Sequence, residues 1–190
     1  MSFKRNTKIL FFLPSFEDGG AEETLISLAN QLYKKKTKVF FVVGNSNGNN
    51  KFRIEKKINF INLNKDRLIK CFTLAKDLID KLEPEVVITT LTHSNLFFCF
   101  LKYFCRNNFK LIIRETNITP TKNLNLLQLL KINFFKILKR IFYNNADFVI
   151  AINSKSKNEL QSLGVSNNKI KILNNPSIKQ NFIGNSNKKI

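Results

Sequence analysis

An α/β fold built on a doubly wound parallel sheet follows from three observations on this 190-residue chain. Short apolar runs recur along it, at 8–13, 38–43, 58–63, 86–90, 109–113, 147–152 and 170–173. Segments with helical apolar spacing stand between most of them, at 21–35, 67–82, 94–106, 123–143 and 154–163. Several runs, such as ILFFL and VFFVV, are apolar without alternation, which suits strands covered on both faces of a sheet. Strands separated by helices imply right-handed crossovers and parallel neighbours, a Rossmann-like layout.

The first strand, 8–13, ends at Pro14, and a short acidic loop brings Gly19 and Gly20 to the mouth of the first helix. In that helix Leu25, Leu28, Ala29 and Leu32 share one face. Glycines at a helix start let backbone approach a ligand closely, and the unpaired N–H groups there favour an anion. Neither G-x-G-x-x-G nor the P-loop pattern occurs, so on these residues alone a plain flexible turn stays open. The polar stretch 44–57 reads as a loop. The run 86–90 leads into Thr-His-Ser-Asn, which sets His93, the single histidine, between strand and helix, with Ser94 or Asn95 as helix cap. The run 109–113 ends in Arg114, Glu115 and Asn117. From Asn174 onward periodicity is lost, so 1–173 reads as one domain and 174–190 as a linker or tail. Ligands of open parallel sheets bind beyond the carboxyl ends of the strands, which selects the loops 15–20, 89–95, 114–119 and 153–157 as the cleft.

Composition bounds the partners. Hydrophobic residues at 43% and charged residues at 24% are ordinary for a soluble domain with a real core. A formal charge of +19 predicts attraction to polyanions, although a chain rich in Lys, Asn, Ile and Phe and lacking Trp is also what an AT-rich gene encodes. No helix-turn-helix, zinc-finger or RNP pattern is present, so nucleic acid is not an expected partner. Cys71, Cys99 and Cys105 form no C-x-x-C pair and read as reduced, buried cytosolic thiols rather than metal ligands. The basic start with its short apolar run is too brief for a signal peptide, and no run reaches the roughly 18 apolar residues of a membrane span.

Three features carry chemistry, each with two readings. His93 is either a structural or surface residue or an imidazole placed to orient or deprotonate a hydroxyl. Arg114 and Glu115, charges directly after a buried strand, are either an exposed pair of small energy or ligand contacts. In the helix 123–143, Leu127, Leu130, Phe134, Leu138 and Ile141 share a face opposite Lys131, Lys136, Lys139 and Arg140. Leu129, Ile132 and Phe135 lie among those cations. This helix either packs on the core with a solvated basic side or lies in the headgroup layer of an anionic membrane.

Two longer strings bear a resemblance. LPSFEDGGAEETLISLANQL, in which GGAE opens a helix, resembles the first strand–loop–helix of family 4 glycosyltransferases. ADFVIAINSKSKNELQSLGVSNNKIKILNNP is similar to a later element of that family, through Ala146, Asp147, Val149, Ile150, Leu163, Gly164, Val165, Ile170, Asn175 and Pro176. Asn153 stands where the family commonly has serine, to cap the next helix or face the cleft. The two strings bracket nearly the whole chain.

The resemblance implies the N-terminal, acceptor-binding half of a GT-B glycosyltransferase. It puts Gly19 and Gly20 near the donor phosphates and makes His93, Asn95, Arg114, Glu115 and Asn117 acceptor-binding, with Glu115 on sugar hydroxyls and Arg114 on a phosphate or carboxylate. It assigns no catalytic residue, no metal and no cofactor, a nucleotide-sugar being the co-substrate. The family's second-domain motifs, G-R-x-x-x-K-G and E-x-F-G-x-x-x-x-E, do not occur in the 190 residues. The expectation is therefore hexosyl transfer to a glycan or lipid-linked acceptor, in surface-polysaccharide assembly, once a separate C-terminal donor-binding subunit completes the site. Alone, the chain is expected to be weakly active or inactive, because charge on the leaving diphosphate needs cationic stabilisation. A truncated, non-catalytic membrane scaffold of the same fold is the alternative. The implied location is cytoplasmic, peripheral on the inner face of the plasma membrane.

Overall fold

The computed structural model describes residues 6–17, 19–48, 53–116 and 125–174. The expected tail lies outside the described residues from position 175 on, as does Asn117. Seven strands form one sheet: β1 (Lys8–Leu13), β2 (Lys38–Val43), β3 (Asn59–Asn62), β4 (Val86–Thr90), β5 (Lys110–Glu115), β6 (Phe148–Ala151) and β7 (Ile170–Ile172). Their spatial order is β3-β2-β1-β4-β5-β6-β7, and every pairing is parallel. Five helices connect them: α1 (Gly20–Lys34), α2 (Phe72–Leu82), α3 (Thr92–Leu101), α4 (Leu126–Phe142) and α5 (Ser154–Ser162).

Strand order dictates which side each helix takes. The connection from β1 to β2 moves one way along the sheet, whereas the connections from β3 to β4 and onward move the other way. Right-handed crossovers in opposite directions put their helices on opposite faces. Accordingly α1 lies on one face, where Leu25, Ile26, Ala29 and Leu32 bury against Ile9, Phe11, Val39 and Phe41. The helices α2, α3, α4 and α5 occupy the other, with Ile79, Leu96, Phe98, Tyr143 and Leu160 packed on Leu10, Phe12, Leu111, Ile113 and Val149. The chain reverses direction between β1 and β4, and this topological switch fixes the position of the cleft.

Among the described residues, the α1 face is covered only in part. Beside α1, the strands β4 to β7 leave an apolar groove of about 630 Å³ lined by Leu28, Ile88, Ile112, Phe148, Ile150 and Ile172.

Two expectations are corrected. The third helix begins at Thr92, so Ser94 and Asn95 are buried inside its first turn and do not cap it. Leu91 precedes it with a left-handed φ of 72°, without a side-chain cap. The helix 123–143 does not bury its broad apolar face. Leu127, Leu130, Phe134 and Ile141 are exposed, while the stripe turned to the core is Phe135, Leu138, Lys139 and Phe142. The two helices α3 and α5 and the residue Tyr143 already fill the space over β5 and β6, so α4 can add only a narrow seam.

The cap expected of Asn153 is present: its Oδ1 accepts the Ser156 N–H at 2.8 Å. The Asp147 carboxylate accepts from Lys102 Nζ at 2.6 Å and from the Leu111 N–H at 2.7 Å, tying α3 and β5 to the start of β6. Desolvation pushes its pKa up, but these bonds outweigh it and the net shift is downward. Cys71 and Cys99 are buried and free, and burial pushes the Cys99 thiol up to about 12.

Candidate functional site

The loops leaving β1, β2 and β3 are stitched together by backbone bonds. Phe16 donates to the Asn47 carbonyl at 2.8 Å, Asn45 to the Pro14 carbonyl at 2.9 Å, and Lys65 to the Gly44 carbonyl at 2.7 Å. Gly48 has φ +107°, and a side chain there would run into the Phe16 carbonyl, so only glycine closes this crossing. The stitched loops and the first turn of α3 enclose a cavity of about 590 Å³ at the carboxyl ends of β1, β2 and β4. Its polar lining comprises Ser15, Glu17, Glu22, Asn45, Asn47, Lys65, Asp66, Arg67 and His93. It sits at the topological switch, where sheets of this kind hold ligands.

His93 stands on the cavity wall. It is open to solvent, but the surrounding walls desolvate its ring and hold its pKa below the ordinary imidazole value, against the upward pull of Glu17 and Glu115. A neutral imidazole at neutral pH can accept a proton from a hydroxyl. Leu91, in the left-handed region, lines the same wall two residues earlier.

Gly19 caps α1 in an extended conformation and Gly20 is its first helical residue. At Gly20 a Cβ would meet nothing within 4 Å, so that position faces open space and folding does not demand glycine there. At Gly19 a Cβ would overlap the Glu22 carboxylate, which folds back over the helix start. Burial raises the Glu22 pKa, and its backbone hydrogen bond opposes the rise. The chain's own carboxyl group thus borders the N-terminal field of α1.

The structure separates residues that the sequence placed together. Strand alternation sends Arg114 to the α1 side of β5 and Glu115 to the side of α3 and α4. Both are buried, and burial lowers the Arg114 guanidinium pKa. Glu115 accepts from Thr92 Oγ1 at 2.8 Å and from the Tyr143 hydroxyl, with Lys139 Nζ at 3.4 Å from the same oxygen as Tyr143. Desolvation and the Glu115 charge push the Tyr143 phenol well above its usual value. Asn95 is fully buried: its Oδ1 accepts from Thr89 at 2.6 Å and its Nδ2 donates to the Arg114 carbonyl at 2.9 Å. Among the acceptor-binding candidates within the described residues, His93 lines the cavity, whereas Asn95, Arg114 and Glu115 are buried and are not part of its lining.

Lys65, Arg67, Asn45 and Asn47 were not singled out in the sequence. The signal was available, since the rule of strand carboxyl ends applies to β2 and β3 as well. Among the described residues, no three His, Cys, Asp or Glu side chains converge as metal ligands.

The seven-stranded parallel sheet and the polar cavity at its switch point define a doubly wound α/β protein that holds ligands at the carboxyl ends of its strands. The chain belongs to glycosyltransferase family 4, whose sequence model matches residues 18–176. No curated protein sequence matches it. Among solved structures, the lipopolysaccharide outer core galactosyltransferase WaaB superposes with a TM-score of 0.63 at 17% identity, over 89% of this chain and 46% of WaaB. HepE of Anabaena, solved with UDP-glucose, gives 0.64 at 18% identity, over 88% of this chain and 43% of HepE. A UDP-N-acetylglucosamine 2-epimerase from Rickettsia bellii gives 0.61 at 10% identity, over 89% of this chain and 45% of the epimerase. The chain therefore spans less than half the length of the structures it resembles, and the likeness shows the fold.

Proposed function

We propose that the chain is the acceptor-binding half of a family 4 glycosyltransferase. It would transfer a hexose from a nucleotide-sugar to a glycan or lipid-linked acceptor in surface-polysaccharide assembly, once a donor-binding domain completes the site. The observation that carries this reading is the cavity at the switch point, with His93, Lys65 and Arg67 in its lining. In it, His93 orients the attacking hydroxyl and takes up its proton, and the two cations hold a phosphate or carboxylate on the acceptor. Open space beside Gly20 at the N-terminus of α1 supports an approach by the donor diphosphate.

The setting of this reaction is an anionic membrane, with the protein peripheral on the cytoplasmic side. The exposure of Leu127, Leu130 and Phe134 beside Lys131 and Arg140 on α4 supports that setting. No helix among the described residues is long and apolar enough to cross a membrane. The same exposure favours, as second reading, a non-catalytic membrane scaffold.

The test combines the purified chain with a family 4 donor-binding domain supplied as a separate polypeptide and follows transfer from a panel of UDP- and GDP-sugars to lipid-linked acceptors. Transfer by the mixture and by neither part alone is the expected result, and its absence with every donor favours the scaffold. Gly20→Leu leaves folding intact and lowers the restored rate by about tenfold or more, as blocked positioning of a reacting group does. An unchanged rate removes the phosphate role from this loop.

A further inference from the structure

A second apolar surface adjoins the exposed face of α4. At the end of α3 the chain leaves the helix at Leu101, and Phe100, Tyr103 and Phe104 are 42%, 64% and 48% exposed. They are ordered rather than loose: Phe100 and Phe104 rings stand 5.0 Å apart, and both contact Phe72 at the start of α2, at 5.9 and 5.4 Å. Phe100 also meets Phe142, the last residue of α4, edge-on at 5.7 Å. That contact makes the aromatic cluster continuous with α4. Tilted and edge-on phenyl rings left partly in water are an unfavourable arrangement for a monomer unless something covers them.

Charge selects the cover. Between Glu85 and Asp147 the sequence holds one carboxylate, Glu115, which is 1% exposed. The same stretch holds Lys102, Arg106, Lys131, Lys136 and Arg140. Arg106, Lys131 and Arg140 are exposed around the apolar surface. An aromatic and leucine-rich face rimmed by cations, whose nearest carboxylates, Asp77 and Asp80 of α2, both stand within ion-pair distance of Lys76, complements an anionic lipid headgroup layer.

We propose that the membrane contact is bipartite: the aromatic cluster Phe100, Tyr103 and Phe104 enters the interface of an anionic bilayer together with α4. The inference rests on the membrane setting given above and adds a second anchor to it. Because α4 runs back from the carboxyl end of β5 toward the opposite end of the sheet, anchors at both ends of this helix hold the strands along the bilayer surface. The cavity rim then opens sideways along the headgroups, where a lipid-linked acceptor lies.

The chain has no tryptophan, so single substitutions give clean reporters. Leu130→Trp reports α4, Phe104→Trp reports the cluster, and Tyr33→Trp on α1 is the control. Each is mixed with phosphatidylcholine vesicles with or without phosphatidylglycerol, using brominated acyl chains as quenchers. The first two variants should shift to the blue and be quenched only with phosphatidylglycerol present, and the control should not respond. The combined Phe100→Ser, Tyr103→Ser, Phe104→Ser protein should bind vesicles about tenfold more weakly or worse, as loss of buried aromatic area implies. Quenching in Leu130→Trp but not in Phe104→Trp overturns the bipartite contact and leaves the α4 contact standing. Silence in both overturns the membrane setting itself. A blue shift of Phe104→Trp that follows protein concentration without vesicles assigns the cluster to self-association and equally overturns the proposal.

Discussion

The helices α1 and α4 carry the same kind of pattern, yet they end in opposite circumstances. In α1, Leu25, Ile26, Ala29 and Leu32 are buried on the sheet. In α4, Leu127, Leu130, Phe134, Ile137 and Ile141 are all more than half exposed, and the one fully buried residue is a lysine, Lys139. A helical apolar pattern states that a face needs an apolar neighbour, not which neighbour it will have. Topology supplies the answer. The helix α1 shares its side of β1 and β2 only with loop residues such as Phe16, Ile54 and Ile58, whereas α4 arrives on a face that α2, α3 and α5 already crowd.

This contrast can be broken most forcefully at Lys139. Its ammonium stands 3.4 Å from the buried Glu115 carboxylate, so an ion pair as well as apolar packing ties α4 to the fold. Lys139→Met should cost about 3–5 kcal/mol in urea unfolding by removing the ion-pair partner of that buried carboxylate, and the double variant with Glu115→Gln should recover most of the loss. A loss under about 1 kcal/mol would mean that the pair contributes little and that the apolar seam holds α4.

Leucine truncation sharpens the comparison next. Leu25→Ala in α1 should destabilise by about 2–5 kcal/mol through transfer and cavity terms, while Leu130→Ala in α4 should stay within about 0.5 kcal/mol. Equal costs in thermal melts would remove the distinction between the two helices.

The smallest effect concerns His93, one residue into α3 on the cavity wall. Its pKa in the folded chain is below the unfolded value, so the folded state resists protonation. Its contribution is then constant above an unfolded pKa of about 6.5 and stability falls as pH drops below it. The single imidazole resonance in an NMR titration should show the lowered midpoint, and His93→Gln should flatten the acid side of the stability profile. A midpoint above the ordinary value would contradict the desolvated wall.

Much of the fold was legible because β1, β2 and β4 are continuous apolar runs, and their expected bounds coincide with the observed ones. The family was legible in GGAE and in the string from Ala146 to Pro176, where Asp147 has a structural reason in its bonds to Lys102 and Leu111. The third helix was misplaced at both ends for identifiable causes. Leu91 starts it with strained backbone rather than a polar cap, and the aromatic run through Phe104 continues past Leu101 because it belongs to the surface, not to a core. The site was half legible. Adjacent residues on a strand face opposite ways, so Arg114 and Glu115 could not share one pocket, while the rule of strand carboxyl ends reaches Lys65 and Arg67 only once the loop after β3 is counted with the cleft.

The half-open side of the sheet has a thermodynamic signature. Among the described residues, Phe148, Ile150 and Ile172 along the groove, like the leucines of α4, are partly or largely exposed before any unfolding occurs. Melting cannot newly hydrate area that is already wet, so the heat-capacity increment per residue falls below the usual ~12–15 cal/mol/K. The free-energy curve of the isolated chain is correspondingly shallow, and cooling or warming from its optimum changes stability less steeply than in a fully enclosed domain of equal length.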